Sequence, residues 1–252
     1  MIQLSIRLYH AEPVVELLVR AVYNEPFTRL KLAVPTVLGG GDVAVDALGG
    51  VAMNPQDGQE SVCQKWLCLR DDRHGLAICN DGAYGYDALD GEARVSLVRN
   101  TQYSTFGGDG WWLDRRLHPC QMDAGDHAWR LRLCVGKASE VVDVAAWWGR
   151  LLNQPVIAFP LFSRSAEGGE FRGPGTSLAV SISDKRIELA AVKRAEADDG
   201  VVLRLINHAG CEVKSRVAFE GRSVDLTFGR YEIKTLLAVD GGRALEACEL
   251  IR

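Results

Sequence analysis

The sequence lacks long apolar runs. No stretch of about 18 apolar residues occurs, so no transmembrane helix is expected. It also lacks an excess of either charge. Lys plus Arg is 29 and Asp plus Glu is 33, for a net charge of −4. Such mild acidity gives no electrostatic reason to expect nucleic acid or a membrane surface as partner. The metal and redox spacings are missing. None of the seven cysteines forms CxxC, and none of the five histidines forms HxH, HxxxH or HExxH. GxSxG is absent too, as is a basic stretch leading an apolar core near Met1, so no secretory signal is expected. What remains is ordinary: 252 residues, 47% apolar and 25% charged. That excludes disordered, collagen-like and coiled-coil chains and is long enough for one large domain or two.

The cysteines are Cys63, Cys68, Cys79, Cys120, Cys134, Cys211 and Cys248. Their number is odd, and several sit inside apolar runs such as Ala77-Ile78-Cys79 and Leu131 to Val135. They read as reduced, buried thiols acting as small hydrophobes. A reducing, cytoplasmic location follows as an expectation, with neither disulfide nor bound zinc in this chain.

Short alternating runs dominate. Ile2, Leu4, Ile6 and Leu8 are apolar at every second position, as are Leu30, Leu32 and Val34. The stretches 93–99 and 128–133 repeat this strand period. Turn-forming residues separate the runs at Gly39 to Asp42, Asn80-Asp81-Gly82, Asp90-Gly91-Glu92 and Gly107 to Gly110. One segment differs. From Ser139 to Leu152, Val141, Val144, Ala145, Trp148, Leu151 and Leu152 follow helical spacing, with Ser139 as N-cap and Asn153-Gln154-Pro155 as stop. Its Trp147-Trp148 pair reads as packing rather than a ligand platform. The Gly-rich stretch 162–176 is the expected domain break. Six further strands are expected at 178–182, 187–192, 201–206, 213–219, 224–228 and 233–239, which suggests a small β-sandwich. The class is mainly β with one helix.

Chemical constellations are sparse. Asp123, Asp126 and His127 are close in sequence, yet on a strand Asp126 and His127 point to opposite faces. Gly107 to Gly110 has no strand before it and no helix after it, so it is no phosphate cradle. Asp71-Asp72 and Asp198-Asp199 lie in turns. More suggestive are Tyr84, Tyr86, Tyr103, Trp111 and Trp112 alongside Asn80, Asp81, Asp87 and Arg99. Aromatic faces beside charged and amide groups suit a sugar, whose C–H face is apolar and whose hydroxyl edge is polar.

The segment Gly75-Leu76-Ala77-Ile78-Cys79-Asn80-Asp81-Gly82-Ala83-Tyr84-Gly85-Tyr86-Asp87 resembles the "G(V/L)A(V/I)LNDGKYGYD" motif of the bacterial-type α-mannosidases of glycoside hydrolase family 38. Further stretches resemble that family in the same order: Gln64-Lys65-Trp66, Leu97-Val98-Arg99, Asp123 to His127, Leu152-Asn153-Gln154-Pro155, Lys193 to Glu196 with Val202 to Leu205, and Tyr231 to Leu236. Departures stand at Asp46-Ala47-Leu48-Gly49-Gly50, where the family commonly has E(I/V)PFG, and at Arg230-Tyr231, where it has Pro-Phe.

The resemblance implies a galactose-mutarotase-like antiparallel supersandwich over residues 1–170, followed by a small β-sandwich over 177–252. The family's catalytic barrel lies N-terminal to this region and holds the zinc, the nucleophile and the acid/base. The implied partners are therefore that barrel and a mannose-containing carbohydrate, with no cofactor in this chain. By motif position Arg99 matches an Arg at the edge of the family's sugar site, and the Asn80–Tyr86 turn matches a loop there. Arg99, Asn80, Asp81, Tyr84 and Tyr86 are the expected substrate-binding residues. Two other readings stay open: a stand-alone carbohydrate-binding module, and an aldose epimerase. The epimerase needs a His acid, for which His118 and His127 are the central choices, and neither carries a mutarotase motif context.

Overall fold

The computed structural model describes residues 1–47, 50–101, 122–154, 157, 180–196, 200–238 and 245–248. The chain divides into two compact units, Met1–Gln154 and Pro155–Arg252. The break expected at 162–176 lies outside the described residues, as do Tyr103, Gly107 to Gly110, Trp111, Trp112, His118, Cys120 and Asp198-Asp199.

In the first unit the alternating runs become strands β1 (Ile2–Leu8), β2 (Val15–Tyr23), β3 (Thr28–Pro35), β4 (Asp42–Ala47), β5 (Gly50–Pro55), β6 (Ser61–Val62), β7 (Trp66–Arg70), β8 (His74–Asn80), β9 (Gly85–Leu89), β10 (Glu92–Asn100) and β11 (Gly125–Lys137). A seven-stranded sheet has the order β1-β2-β11-β8-β7-β4-β5, and a four-stranded sheet the order β3-β10-β9-β6. Their pairings are antiparallel throughout. A two-residue turn closes the β9–β10 hairpin, whereas β2 with β11, β8 with β11 and β3 with β10 pair across long stretches of sequence. Asp90 and Gly91 both adopt positive φ, at 48° and 86°, which matches the twist of the β9–β10 hairpin.

Strand alternation assigns each residue of the large sheet to one of two packed faces. Leu17, Val19, Val43, Val45, Leu67, Leu69, Ile78 and Leu131 meet Tyr86, Ala88, Ala93 and Val95 of the small sheet in one core. Their neighbours Ala44, Trp66, Cys68, Ala77, Cys79 and Cys134 face the other way, onto helix α1 (Val141–Asn153). Most of that second face is small, so the helix approaches closely. A Cβ on Gly75 would lie 2.6 Å from Val141 Cγ1, and one on Gly149 would lie 3.0 Å from Trp66 Cδ1.

The helix departs from its sequence reading in two respects. It starts at Val141, with Glu140 at the N-cap and no side-chain cap, rather than on Ser139. The Glu140 carbonyl accepts from Val144 N–H, and Glu140 N–H is itself taken by Lys137 O in the preceding turn, so the first helical bond forms one residue later. Its buried stripe is Val141, Ala145, Gly149 and Leu152, while Leu151 is exposed. The Trp66 indole needs the gap over Gly149, and this sets the helix's rotation. Trp147 and Trp148 pack beneath guanidinium groups, Arg150 at 4.8 Å and Arg132 at 5.1 Å.

The second unit contains β12 (Val180–Ile182), β13 (Ile187–Arg194), β14 (Val201–Asn207), β15 (Val213–Phe219), β16 (Arg222–Phe228), β17 (Ile233–Ala238) and β18 (Leu245–Cys248). Sheets β12-β15-β16 and β13-β14-β17-β18 share a core built on Leu203, Leu205, Val217, Phe228 and Leu236. The mainly β, antiparallel class with one helix is thus the observed one. Burial of the thiols is observed for Cys63, Cys68, Cys79 and Cys134, whereas Cys211 is exposed.

Gly75→Val is expected to lower stability by about 1–3 kcal/mol, because the added branches overpack the start of the helix. Val135→Ala, at a 74% exposed position, should change it by less than about 0.5 kcal/mol. Urea unfolding of the two variants checks the contrast.

Candidate functional site

A pocket of about 910 Å³ opens in the first unit beside β4, β5 and β6. Its apolar lining comes from Val45, Ala52, Val62 and Tyr84, and its polar lining from Asn54, Gln64, Lys65 and Asn153. This volume suits a small ligand, and the lining pairs apolar walls with a few amides and an ammonium.

Beneath the pocket sits Asn80, only 1% exposed at the end of β8. Its Oδ1 accepts the N–H groups of Gly82 and Ala83, at 3.0 and 2.9 Å, and so closes the turn that follows. Its Nδ2 donates to Gln64 O at 3.2 Å, and its main-chain N–H donates to Lys65 O at 2.9 Å. From the far side, Asn153 Nδ2 at the helix end donates to Asn80 O at 2.8 Å. Through its side chain and its main chain together, this one buried residue ties three separate strings of sequence, around Gln64, Asn80 and Asn153.

The expected site residues land in different places. Tyr84 lines the pocket, with 63% of its surface exposed. Asn80 holds two of the lining residues, Gln64 and Asn153, by hydrogen bonds. Asp81 turns to β11, where it accepts Arg130 N–H at 2.9 Å and faces the Arg130 guanidinium at 3.5 Å. Tyr86 is 1% exposed within the core between the sheets, and its hydroxyl accepts from Asn54 Nδ2 at 2.7 Å. Arg99 is exposed near the end of β10, opposite Arg29, and its main-chain N–H donates to Asp123 Oδ2 at 3.1 Å. Asn80, Asp81, Tyr86 and Arg99 are not among the residues lining the pocket, and Asn80 reaches it only through its bonds with Gln64 and Asn153. The lining residues Asn54, Gln64, Lys65 and Asn153 had no role in the sequence reading. Gln64, Lys65 and Asn153 lay inside strings already noted as motifs, but only the fold shows that those strings meet.

Both carboxylates at the pocket are engaged. Asp46 Oδ2 accepts Lys65 N–H at 3.1 Å. Glu60 accepts from Arg29 at 2.9 Å and from Lys31 and Ser96 at 2.6 Å each. Burial alone would raise the Glu60 pKa, but the Lys31 and Ser96 bonds, with the nearby cations, hold it below the usual 4.5. Lys31 also bonds Asp87, which pairs with Arg94 at 2.5 Å. A Cβ on Gly85 would crowd Glu60 Oε1 at 3.1 Å and Ser96 Cβ at 3.2 Å, so glycine gives this network room. Cys63 lines the pocket too. Burial, helped by the Asp46 charge, pushes its thiol up to about 12, so it is no nucleophile near neutral pH. Among the described residues no three His, Cys, Asp or Glu side chains converge as a metal centre would need. The arrangement can bind and orient a ligand through a ring face and amide groups. It presents no activated nucleophile among the described residues.

Asn80→Ala should cost about 1–3 kcal/mol by stranding buried N–H groups of the turn. Tyr84→Ala should cost less than about 0.5 kcal/mol, since its ring is largely in water. Chemical unfolding distinguishes the two. Glu60, and Glu16 likewise held low by Tyr9 and Arg132 against its own burial, have folded pKa values below 4.5. Their stabilising contribution is complete above that unfolded value and is lost as pH falls through the lower folded values. The urea midpoint should therefore decline on acidification below about pH 4.5. Glu60→Gln should flatten that decline.

Comparison with known proteins finds a family model that matches the N-terminal part of the chain and solved structures that share its fold. Residues 1–106 match the family model "Glycosyl hydrolases family 38 C-terminal domain". No curated protein matches the chain significantly. Among solved structures, an alpha-mannosidase from Enterococcus faecalis V583 superposes with a TM-score of 0.75 at 15% identity, over 94% of this chain and 28% of its own. A protein in glycosyl hydrolase family 38 from Enterococcus faecalis superposes with a TM-score of 0.77 at 16% identity, over 94% and 29%. The chain thus spans less than a third of the structures it resembles. The resemblance carried by the sequence motifs stands: residues 1–106, with the Asn80 turn, Tyr84 and Arg99, match the glycosyl hydrolases family 38 C-terminal domain, and the fold shared with the two structures runs over 94% of the chain.

Proposed function

We propose that this chain is the non-catalytic C-terminal β-region of an α-mannosidase-like glycoside hydrolase, with domains over 1–170 and 177–252, and that it completes the sugar site of an N-terminal catalytic barrel. The observation that carries the reading is the family match over 1–106, the segment that supplies most of the pocket and the turn beneath it. Glycosidic bond cleavage needs two carboxyl roles and stabilisation of positive charge on the sugar ring. In this chain Asp46 and Glu60 are tied to internal donors, and Glu60 is kept ionised by its cations, so it is a poor acid. Supply of those roles, and of zinc, is assigned to the barrel. This chain's part is positioning: Arg99 and the Tyr84 turn would hold a mannose-containing substrate at the barrel's edge. The buried thiols support a cytoplasmic location. Among the described residues no helix is long and apolar enough to cross a membrane. The Tyr84 ring over an amide-lined pocket also favours a second reading, a stand-alone carbohydrate-binding module. In that case mannosides would bind the chain without a barrel.

The purified chain is expected to release no aryl alcohol from an aryl α-mannoside above a heat-killed control. Mixing with a barrel-bearing partner chain should restore turnover. Arg99→Ala and Tyr84→Ala should then each lower that turnover roughly tenfold to a hundredfold, at an unchanged melting temperature. Turnover by the chain alone would overturn the non-catalytic role. Full activity with both variants would remove the positioning role.

A further inference from the structure

Strand β1 is the edge of the seven-stranded sheet, and its apolar row is uncovered. Ile2, Leu4, Ile6 and Leu8 are 56%, 49%, 63% and 76% exposed. Directly paired residues share a face, so these four extend the row Ala21, Val19, Leu17 and Val15 of β2, which belongs to the core side of the sheet. Among the described elements β1 packs against β2, while helix α1 lies on the opposite face of the sheet, on β7, β8 and β11. An exposed apolar edge of this kind invites another strand, and natural sheets usually blunt it with charge, proline or a bulge. Here the only charge within β1 is Arg7.

The phase of the ladder shows which backbone groups are free. The Met1 nitrogen donates to Val22 O, and Val22 N–H donates to Met1 O, so this is a hydrogen-bonded pair. Alternation makes Gln3–Arg20, Ser5–Leu18 and Arg7–Glu16 hydrogen-bonded pairs as well. The N–H and C=O groups of Ile2, Leu4, Ile6 and Leu8 therefore point outward, along the open edge.

We infer that β1 pairs antiparallel with β1 of a second copy of this chain, which joins the two seven-stranded sheets across a two-fold axis at Ser5. The strand sequence Ile-Gln-Leu-Ser-Ile-Arg-Leu is self-complementary about that residue. The register sets Ile2 opposite Leu8, Leu4 opposite Ile6, Gln3 opposite Arg7 and Ser5 opposite its own copy. Every outward N–H and C=O of the strand finds a partner, and apolar side chains meet apolar ones on one face. On the other face the Arg7 guanidinium meets the Gln3 amide. Shifts that keep the bonding phase move by two residues. Those toward Leu8 shorten the paired run and bring the two Arg7 side chains together, which is unfavourable. The contact is isologous and closes as a dimer. A seven-residue edge falls at the small end of specific interfaces, below about 1,200 Å² in total, so the dimer forms reversibly with concentration.

Sedimentation equilibrium of the 252-residue chain tests this independently of the glycosidase reading. The wild type should move from the 27.6 kDa chain mass toward twice that value as concentration rises. Leu4→Lys with Ile6→Lys places like charges opposite each other and should abolish the dimer. Leu4→Lys with Ile6→Glu places opposite charges across the axis and should restore it, with a dissociation constant that rises with salt. Both double variants put charges on exposed side chains, so their urea midpoints should match the wild type. A wild type that stays monomeric overturns the inference. So does a dimer indifferent to the Lys pair, a Lys/Glu chain as monomeric as the Lys/Lys chain, or open-ended oligomers in place of a dimer.

Discussion

The first unit depends on the Asn80 carboxamide. A buried amide must satisfy donors and acceptor together or lose about 1–3 kcal/mol for each group left unmade. Asn80 does so by accepting from Gly82 and Ala83 and donating to Gln64 O, while its own carbonyl receives Asn153. The pocket wall near Tyr84, the β6–β7 link and the end of the helix are thereby fixed to one point. An aspartate at this position would bury an extra charge and lose the donor to Gln64, and an alanine would leave the turn unclosed.

Around that point the large sheet is packed on both faces by different means. One face uses branched side chains against a second sheet. The other uses Ala, Cys and Gly against a helix, because a helix axis can approach a sheet closely only where side chains are small. The buried cysteines belong to this second layer. Cys79 Sγ donates to Ala145 O at 3.5 Å, which fits a thiol used as a compact, weakly polar packing group. The same logic explains the chemical quiet of the pocket: its carboxylates and thiol are consumed in holding its walls, and what faces the opening is Tyr84 and a set of amides.

The polar outer face of the small sheet shows how far charge is internalised here. Asp87 is 4% exposed, yet Lys31 and Arg94 both reach it, and Lys31 also reaches Glu60. A buried carboxylate survives only with such partners. Gly85 leaves room for that meeting, since a Cβ there would crowd Glu60 and Ser96.

The sequence by itself determined the local structure. Period-two runs set β1, β3, β10, β11 and the strands after residue 180, and Asp90-Gly91 set a hairpin, because strand alternation and left-handed turn geometry are properties of neighbouring residues. It also carried the family motifs and the segment that holds the site. It did not determine which apolar rows are covered. Ile2, Leu4, Ile6 and Leu8 alternate like any buried strand but lie on the sheet's rim. Nor did it separate Tyr84 from Tyr86, two residues apart in one motif. One is at the mouth of a pocket and the other is sealed in the core, because Tyr84 stands in the turn before β9 while Tyr86 lies on β9 itself, and only the packing of the two sheets decides which strand face is covered. The meeting of Gln64, Asn80 and Asn153 was equally out of reach, since hydrogen bonds between residues tens of positions apart exist only once the tertiary fold has brought their strands and helix together.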